Sequence, residues 1–145
     1  MPVIRCREFD RYEFESKTLV APISHIDAGH LVFSIGRNWG LKRDLAQIVD
    51  GLHSLDPTAG MDIGAIKSQY GEKLILFGNV SVDALCRKSA DEVIQETKNC
   101  LRQAAPGGGY ILSSSNSWFT DAKLENCLAM VETARKYGRY PISVP

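Results

Sequence analysis

The sequence predicts an α/β fold built on parallel strands. Three features point there: short apolar runs without polar alternation, amphipathic helical stretches between them, and steady alternation of the two along most of the chain. Continuously apolar strands suit a parallel sheet, whose strands are buried on both faces. The order β-α-β-α-β-α-β-α implies right-handed crossovers. About four parallel βα units are too few for a closed eight-stranded barrel, which takes about 250 residues. They fit a small open sheet or half of a TIM (β/α)8 barrel.

Taken in order, residues 1–17 are charged and carry no firm period, so they form an irregular N-terminal segment before a domain spanning 18–145. The first strand is expected over Thr18-Leu-Val-Ala-Pro-Ile-Ser24, although Pro22 weakens it. Residues 29–44 hold three glycines and Trp39 where one smooth crossover helix is expected, which suggests an insertion or a disrupted reading frame. A helix covers about Leu41 to Ile48. Val49 to Leu55 is a second, weaker strand. Met61 to Tyr70 forms a short helix that buries Ile63, Ile66 and Tyr70 and stops at Gly71. Lys73-Leu-Ile-Leu-Phe77 is the clearest strand, ended by Gly78-Asn79. Ser89-Ala-Asp-Glu92 is a capping box. The helix after it presents Val93, Thr97, Cys100, Leu101 and Ala104 on one face. Tyr110-Ile-Leu112 is the last strand, entered through a turn at Gly107-Gly-Gly109. The final helix begins near Thr120-Asp121, with Leu124, Cys127, Leu128, Val131 and Ala134 as its apolar stripe, and stops at Gly138.

Length limits the chain of 145 residues to one domain, and 44% apolar with 23% charged residues is ordinary for a protein with a packed core. The formal net charge is zero, so bulk charge gives no support to a nucleic-acid or anionic-membrane role. No apolar run approaches the roughly 18 residues needed to cross a bilayer. The first ten residues contain no continuous apolar stretch of a secretory signal, and a cytoplasmic location is expected. Cys6, Cys86, Cys100 and Cys127 show neither a C-x-x-C nor a zinc-finger spacing. They are read as reduced thiols, Cys100 and Cys127 on apolar helix faces, and no metal site is predicted.

In a barrel of this kind the C-terminal ends of the strands carry function. Four such ends are polar here: His25 with Asp27, His53 with Asp56, Asn79, and Ser113 to Asn116. His25 and Asp27 are two apart and share a side of an extended strand. They are the candidate catalytic pair, with Asp27 orienting His25 or accepting a proton, and His25 donating to a substrate carboxylate; the alternative is that Asp27 caps the next helix. Asp56 either binds ligand or opens the turn at Pro57. His53, inside its strand, is read as packing. Asn79 either orients ligand or stabilises its turn. Ser115 and Asn116, in a Ser-rich loop, are candidate contacts for an anionic substrate. Gly107-Gly-Gly109 lacks a P-loop lysine and precedes a strand, so it is a turn.

Several strings, in order, resemble the uroporphyrinogen decarboxylase superfamily, which includes cobalamin-dependent methyltransferases. They are Ser24-His-Ile-Asp-Ala-Gly29, Gly51-Leu-His-Ser-Leu-Asp-Pro57, Ala59-Gly-Met-Asp-Ile63, Ile66-Lys-Ser-Gln-Tyr-Gly71, Leu74-Ile-Leu-Phe-Gly-Asn-Val80, Gly108-Gly-Tyr-Ile-Leu112 with Asn116, and Leu124-Glu-Asn through Tyr137-Gly-Arg-Tyr-Pro141. The resemblance implies the C-terminal half of the family's barrel. The N-terminal half, which in the decarboxylases carries arginines and an aspartate central to the chemistry, lies outside these motifs. It implies a carboxy-lyase acting without a cofactor on a tetrapyrrole with acidic side chains, in porphyrin biosynthesis. Two departures count: Ser113-Ser-Ser-Asn116 replaces the Gly-His-Gly of the decarboxylases, and Asp27 replaces the cysteine of the methyltransferases' His-x-Cys. The second removes a soft thiolate zinc site. The alternatives are a corrinoid-dependent methyltransferase-like protein, which would need zinc and a corrinoid partner, and a non-catalytic half-barrel. A half-barrel leaves two unpaired strand edges, so a homodimer or a complementing N-terminal half is the expected partner, besides a small-molecule substrate.

Overall fold

The computed structural model describes residues 31–33 and 49–145. The strand expected over Thr18 to Ser24, the helix about Leu41 to Ile48 and the segment 1–17 lie outside the described residues. Among the described residues, four strands form one sheet: β1 (Leu31–Phe33), β2 (Gly51–His53), β3 (Ile75–Val80) and β4 (Tyr110–Ser114). All three pairings are parallel, and the spatial order equals the chain order, β1-β2-β3-β4. A doubly wound sheet shuffles its strand order. Sequential order is that of a (β/α)8 barrel, and the sheet is an arc of one.

β1 lies inside residues 29–44, the segment whose glycines and Trp39 break the expected pattern. Within this segment, which does not read as one smooth crossover helix, Leu31-Val-Phe33 pairs with Gly51-Leu-His53 as a strand. Three apolar residues between glycines are too short a run to stand out.

Four α-helices are described. α1 (Ile63–Tyr70) is capped by Asp62, whose carboxylate accepts from the Gly64 and Ala65 amides. α2 (Val82–Arg87) starts directly after β3, with Ser81 as its N-cap. Sequence periodicity does not reveal it, because six residues are less than two turns. α3 (Ala90–Ala104) carries the predicted Ser89–Glu92 capping box and buries Val93, Thr97, Cys100, Leu101 and Ala104, as expected. α4 (Leu124–Tyr137) begins at Leu124, later than the expected Thr120-Asp121, and buries Asn126, Cys127, Ala129, Met130, Thr133 and Ala134. Its face is therefore rotated from the predicted one, and Leu124 and Leu128 are exposed. The entry to β4 needs its glycines: Gly107, Gly108 and Gly109 all have positive φ, at 80°, 80° and 64°, a conformation that L side chains rarely adopt. The Lys67 ammonium donates to the Gly108 carbonyl and holds this turn against α1.

The sheet has two unlike faces. Register places Leu52 beside Leu76 and Leu76 beside Tyr110. These three are buried and join residues of the helices, such as Ile66, Val93, Leu101 and Met130, in one core. Because successive side chains in a strand alternate sides, the next row, His53, Phe77 and Ile111, points away from the helices. All three are half-buried.

Candidate functional site

The C-terminal ends of β2, β3 and β4 share one rim of the sheet, as parallel pairing requires. Beneath that rim runs the inner row of His53, Phe77 and Ile111. The His53 and Phe77 rings lie 5.7 Å apart at 43°, within the range of favourable tilted ring contacts. Just past β2, Ser54 has φ of 59° and is the one non-glycine with positive φ among the described residues. Its Oγ lies 3.0 Å from His53 Nδ1, sharing a hydrogen bond with it. Burial lowers the His53 pKa from its ordinary value, so the imidazole is neutral near pH 7.

The β4 end is a hydroxyl-rich corner. Ser114 Oγ donates to the Asn116 carbonyl at 2.7 Å and accepts from the Trp118 indole at 3.0 Å. This ties Trp118, half exposed, to the rim. Ser113 Oγ donates to the Ser114 carbonyl.

The predicted site residues fall into two groups. His25 and Asp27 lie outside the described residues. The other four have internal partners. Asp56 closes the 3-10 turn Pro57–Ala59, accepting from the Thr58 amide and hydroxyl, each at 2.8 Å. Asn79 is buried; its amide nitrogen donates to the Met61 carbonyl at 3.1 Å, and its oxygen accepts from the Cys100 thiol at 3.4 Å. Gly78, with φ of 138° and a cis peptide to Asn79, precedes it within β3, and only glycine adopts such a φ readily. Ser115 is fully buried and its Oγ accepts from the Val82 amide at the start of α2. Asn116 is half-buried, and its side-chain oxygen accepts from the Ser117 amide. Asp56 and Asn116 stay on the rim; Asn79 and Ser115 build the walls behind it.

Among the described residues, Cys86, Cys100 and Cys127 are free thiols. Cys100 sits between α3 and β3, and burial pushes its thiol pKa up to about 11. Beside it, burial raises the Tyr110 phenol well above its usual value, and that hydroxyl donates to the Gly78 carbonyl. Cys127 is buried on α4. Among the described residues no three His, Cys, Asp or Glu side chains gather as metal ligands. The donor set that a thiolate zinc centre requires is not supplied by these residues. No helix among them is long and apolar enough to cross a membrane.

The residue that sequence inspection misses is Ser54. His53 reads as packing in the sequence, and its ring does pack, 5.7 Å from that of Phe77. Ser54 carries no signal at all, because serine is not a residue that announces a left-handed backbone.

The sequence matches the uroporphyrinogen decarboxylase (URO-D) family over residues 12–137. No curated protein matches the chain. Among solved structures, the fold is similar to that of a methyltransferase from Methanosarcina mazei, with a TM-score of 0.63 at 24% sequence identity. That likeness covers 74% of this chain and 31% of the methyltransferase, so the chain spans about a third of that protein's length.

Proposed function

This chain belongs to the uroporphyrinogen decarboxylase family, and on that premise we propose that it forms part of a barrel-mouth site for an acidic tetrapyrrole, with decarboxylation as the associated chemistry. The observation that carries this is the rim itself. Three parallel strands end together above a half-open row of His53, Phe77 and Ile111. Phe77 and Ile111 offer an apolar floor for the pyrrole rings of the ligand. His53, Ser113 and Ser114 offer neutral hydrogen-bonding groups for its acidic arms. His25 and Asp27 are the pair proposed for proton handling. In the reaction the bond to a side-chain carboxylate breaks, carbon dioxide leaves, and the electron pair passes into a protonated pyrrole. A proton then goes to the carbon that lost the carboxylate, with His25 as the proposed donor, and the pyrrole releases the proton it had gained and regains its aromatic ring. The cationic partners for the remaining carboxylates belong to the other part of the site. A homodimer, or a chain carrying the complementary half-barrel, is the proposed source. A cytoplasmic setting accords with this chemistry.

A second reading, methyl transfer, is favoured by the structural similarity to the methyltransferase. Asp27, standing where the methyltransferases have the cysteine of His-x-Cys, weighs against it.

Calorimetric titration of the purified chain separates the two. Saturable binding of uroporphyrin without binding of hydroxocobalamin supports the tetrapyrrole site. The reverse result, with stoichiometric zinc in the purified protein, supports methyl transfer. Binding of neither overturns both.

A further inference from the structure

Cys6, Cys86, Cys100 and Cys127 are spread along the sequence, and the fold brings two of them to one junction. We propose that Cys86 and Cys127 are a redox pair, which closes to a disulfide between α2 and α4 on exposure to a low-molecular-weight disulfide of the glutathione class. The proposal is independent of the tetrapyrrole reading.

The junction is built by hydrogen bonds from the residues beside the two cysteines. The Leu85 carbonyl, in the peptide bond to Cys86, accepts from the Lys123 amide at 3.1 Å and from the Asn126 side-chain amide at 3.0 Å. Asn126 immediately precedes Cys127, whose own amide donates to the Lys123 carbonyl at 3.1 Å. Asn126 reaches the Lys88 carbonyl as well, at 3.0 Å. The end of α2 is thus held on the first turn of α4 from both sides of Cys86. A disulfide joins Cα atoms up to about 7 Å apart, the scale that direct hydrogen bonds between neighbouring segments set. Burial raises the Cys127 thiol pKa, and the charge of Cys86 adds to the rise, so the two sulfurs lie within electrostatic reach of each other. Cys100 stands apart from them, its thiol donating to Asn79.

Exposure sets the order of steps: Cys86 is half-buried and Cys127 buried. The Cys86 thiolate attacks one sulfur of glutathione disulfide, whose S–S bond breaks, and one glutathione leaves as thiolate. Cys127 then loses its proton and its sulfur attacks that of Cys86. The protein disulfide forms and the second glutathione leaves. The two departing thiolates take up the two protons that the cysteines lose; the protein is oxidised by two electrons and glutathione disulfide is reduced. The raised pKa of Cys127 makes the second step the slower one.

The bridge bears on the rim, because α2 spans its corner. Ser81 caps α2 directly after β3, and the Val82 amide donates to Ser115 Oγ just after β4. Bonding α2 to α4 therefore fixes both chain segments that leave the rim at β3 and β4.

The test incubates the whole folded chain with glutathione disulfide, followed by alkylation and tryptic mapping. A product lighter by two hydrogens is expected, with residues 74–87 linked to residues 124–135. Its Tm should rise by several degrees and return on reduction with dithiothreitol. Cys127→Ser should stop with one glutathione on Cys86, and Cys86→Ser should leave Cys127 reduced. In concentrated urea the selective pairing should vanish, since it comes from the fold. The map of the unsubstituted chain is decisive even where a variant does not fold. Thiols that all stay reduced, a reaction that ends at the glutathione adduct of Cys86, or linkage of either residue to Cys6 or Cys100 instead overturns the pair.

Discussion

Helices α3 and α4 have nearly the same length, 15 and 14 residues, and pack against each other, yet they are built on different rules. α3 is an amphipathic helix in the simplest sense. A capping box starts it, and its buried face is the apolar stripe at spacings of three and four. α4 has no side-chain cap, buries polar Asn126 and Thr133, and leaves Leu124 71% and Leu128 49% exposed. The difference is made by one side chain. Asn126, fully buried, donates from its amide nitrogen to the carbonyls of Ala84, Leu85 and Lys88 at 3.3, 3.0 and 3.0 Å. Those carbonyls lie in the last turn of α2 and at its cap, where a helix has acceptors to spare. α4 is rotated so that this amide reaches them, and two leucines go to the surface as a result. Burial on α3 follows hydrophobicity; burial on α4 follows a hydrogen-bond obligation.

The widest gap between the helices should appear on truncating a leucine in each. Leu101→Ala on α3 removes a side chain with 2% exposure from the centre of the core. It is expected to cost about 3 kcal/mol, within the range for large-to-small core changes. Leu128→Ala on α4 should change stability by less than about 0.5 kcal/mol, as exposed substitutions do. Urea unfolding of both variants reads the difference directly. Equal losses would mean that the α4 face is buried after all, and the contrast would fail.

Asn126→Ala tests the cause of the rotation. It removes the amide that the Ala84, Leu85 and Lys88 carbonyls share, and buried hydrogen bonds of this kind contribute about 1 kcal/mol each. The expected loss is about 2 kcal/mol by the same urea measurement. The break should be local, with amide hydrogen exchange rising over Val82–Arg87 before the rest of the chain. Exchange that rises evenly across the molecule would show that Asn126 contributes packing rather than an anchor for α2.

The same distinction explains what can be read from sequence. Strands β2, β3 and β4, helices α1 and α3, and the glycine turn before β4 all declare themselves through apolar runs, capping residues or glycine, which are local signals. The α4 face does not, since its orientation depends on carbonyls about 40 residues earlier in the chain. Leu31–Phe33 is hidden by its shortness, and α2 likewise. The site follows suit. The rim is legible from strand ends, because parallel βα order places them together. Individual side chains on it are not. Asn79 follows the strongest strand signal, yet with Gly78 at a φ of 138° its amide lies inside, against Met61 and Cys100. Ser54 takes a left-handed backbone that its residue type gives no reason to expect. The ring that His53 packs against, Phe77, is known only once strand register is known.

The smallest effect concerns the one place where α3 departs from its own rule. Thr97 lies in the middle of the apolar stripe with no exposure, and its hydroxyl oxygen has no hydrogen-bond partner among the described residues. A helix governed by hydrophobicity should prefer the nearly isosteric valine there. Burying a hydroxyl without a partner carries a desolvation cost, and both side chains are β-branched, so backbone preference barely changes. Thr97→Val is therefore expected to stabilise the fold by about 1 kcal/mol, raising the urea midpoint with an unchanged slope. A loss instead would mean that the hydroxyl satisfies a partner in the folded chain, and α3 would then share with α4 a buried polar obligation of its own.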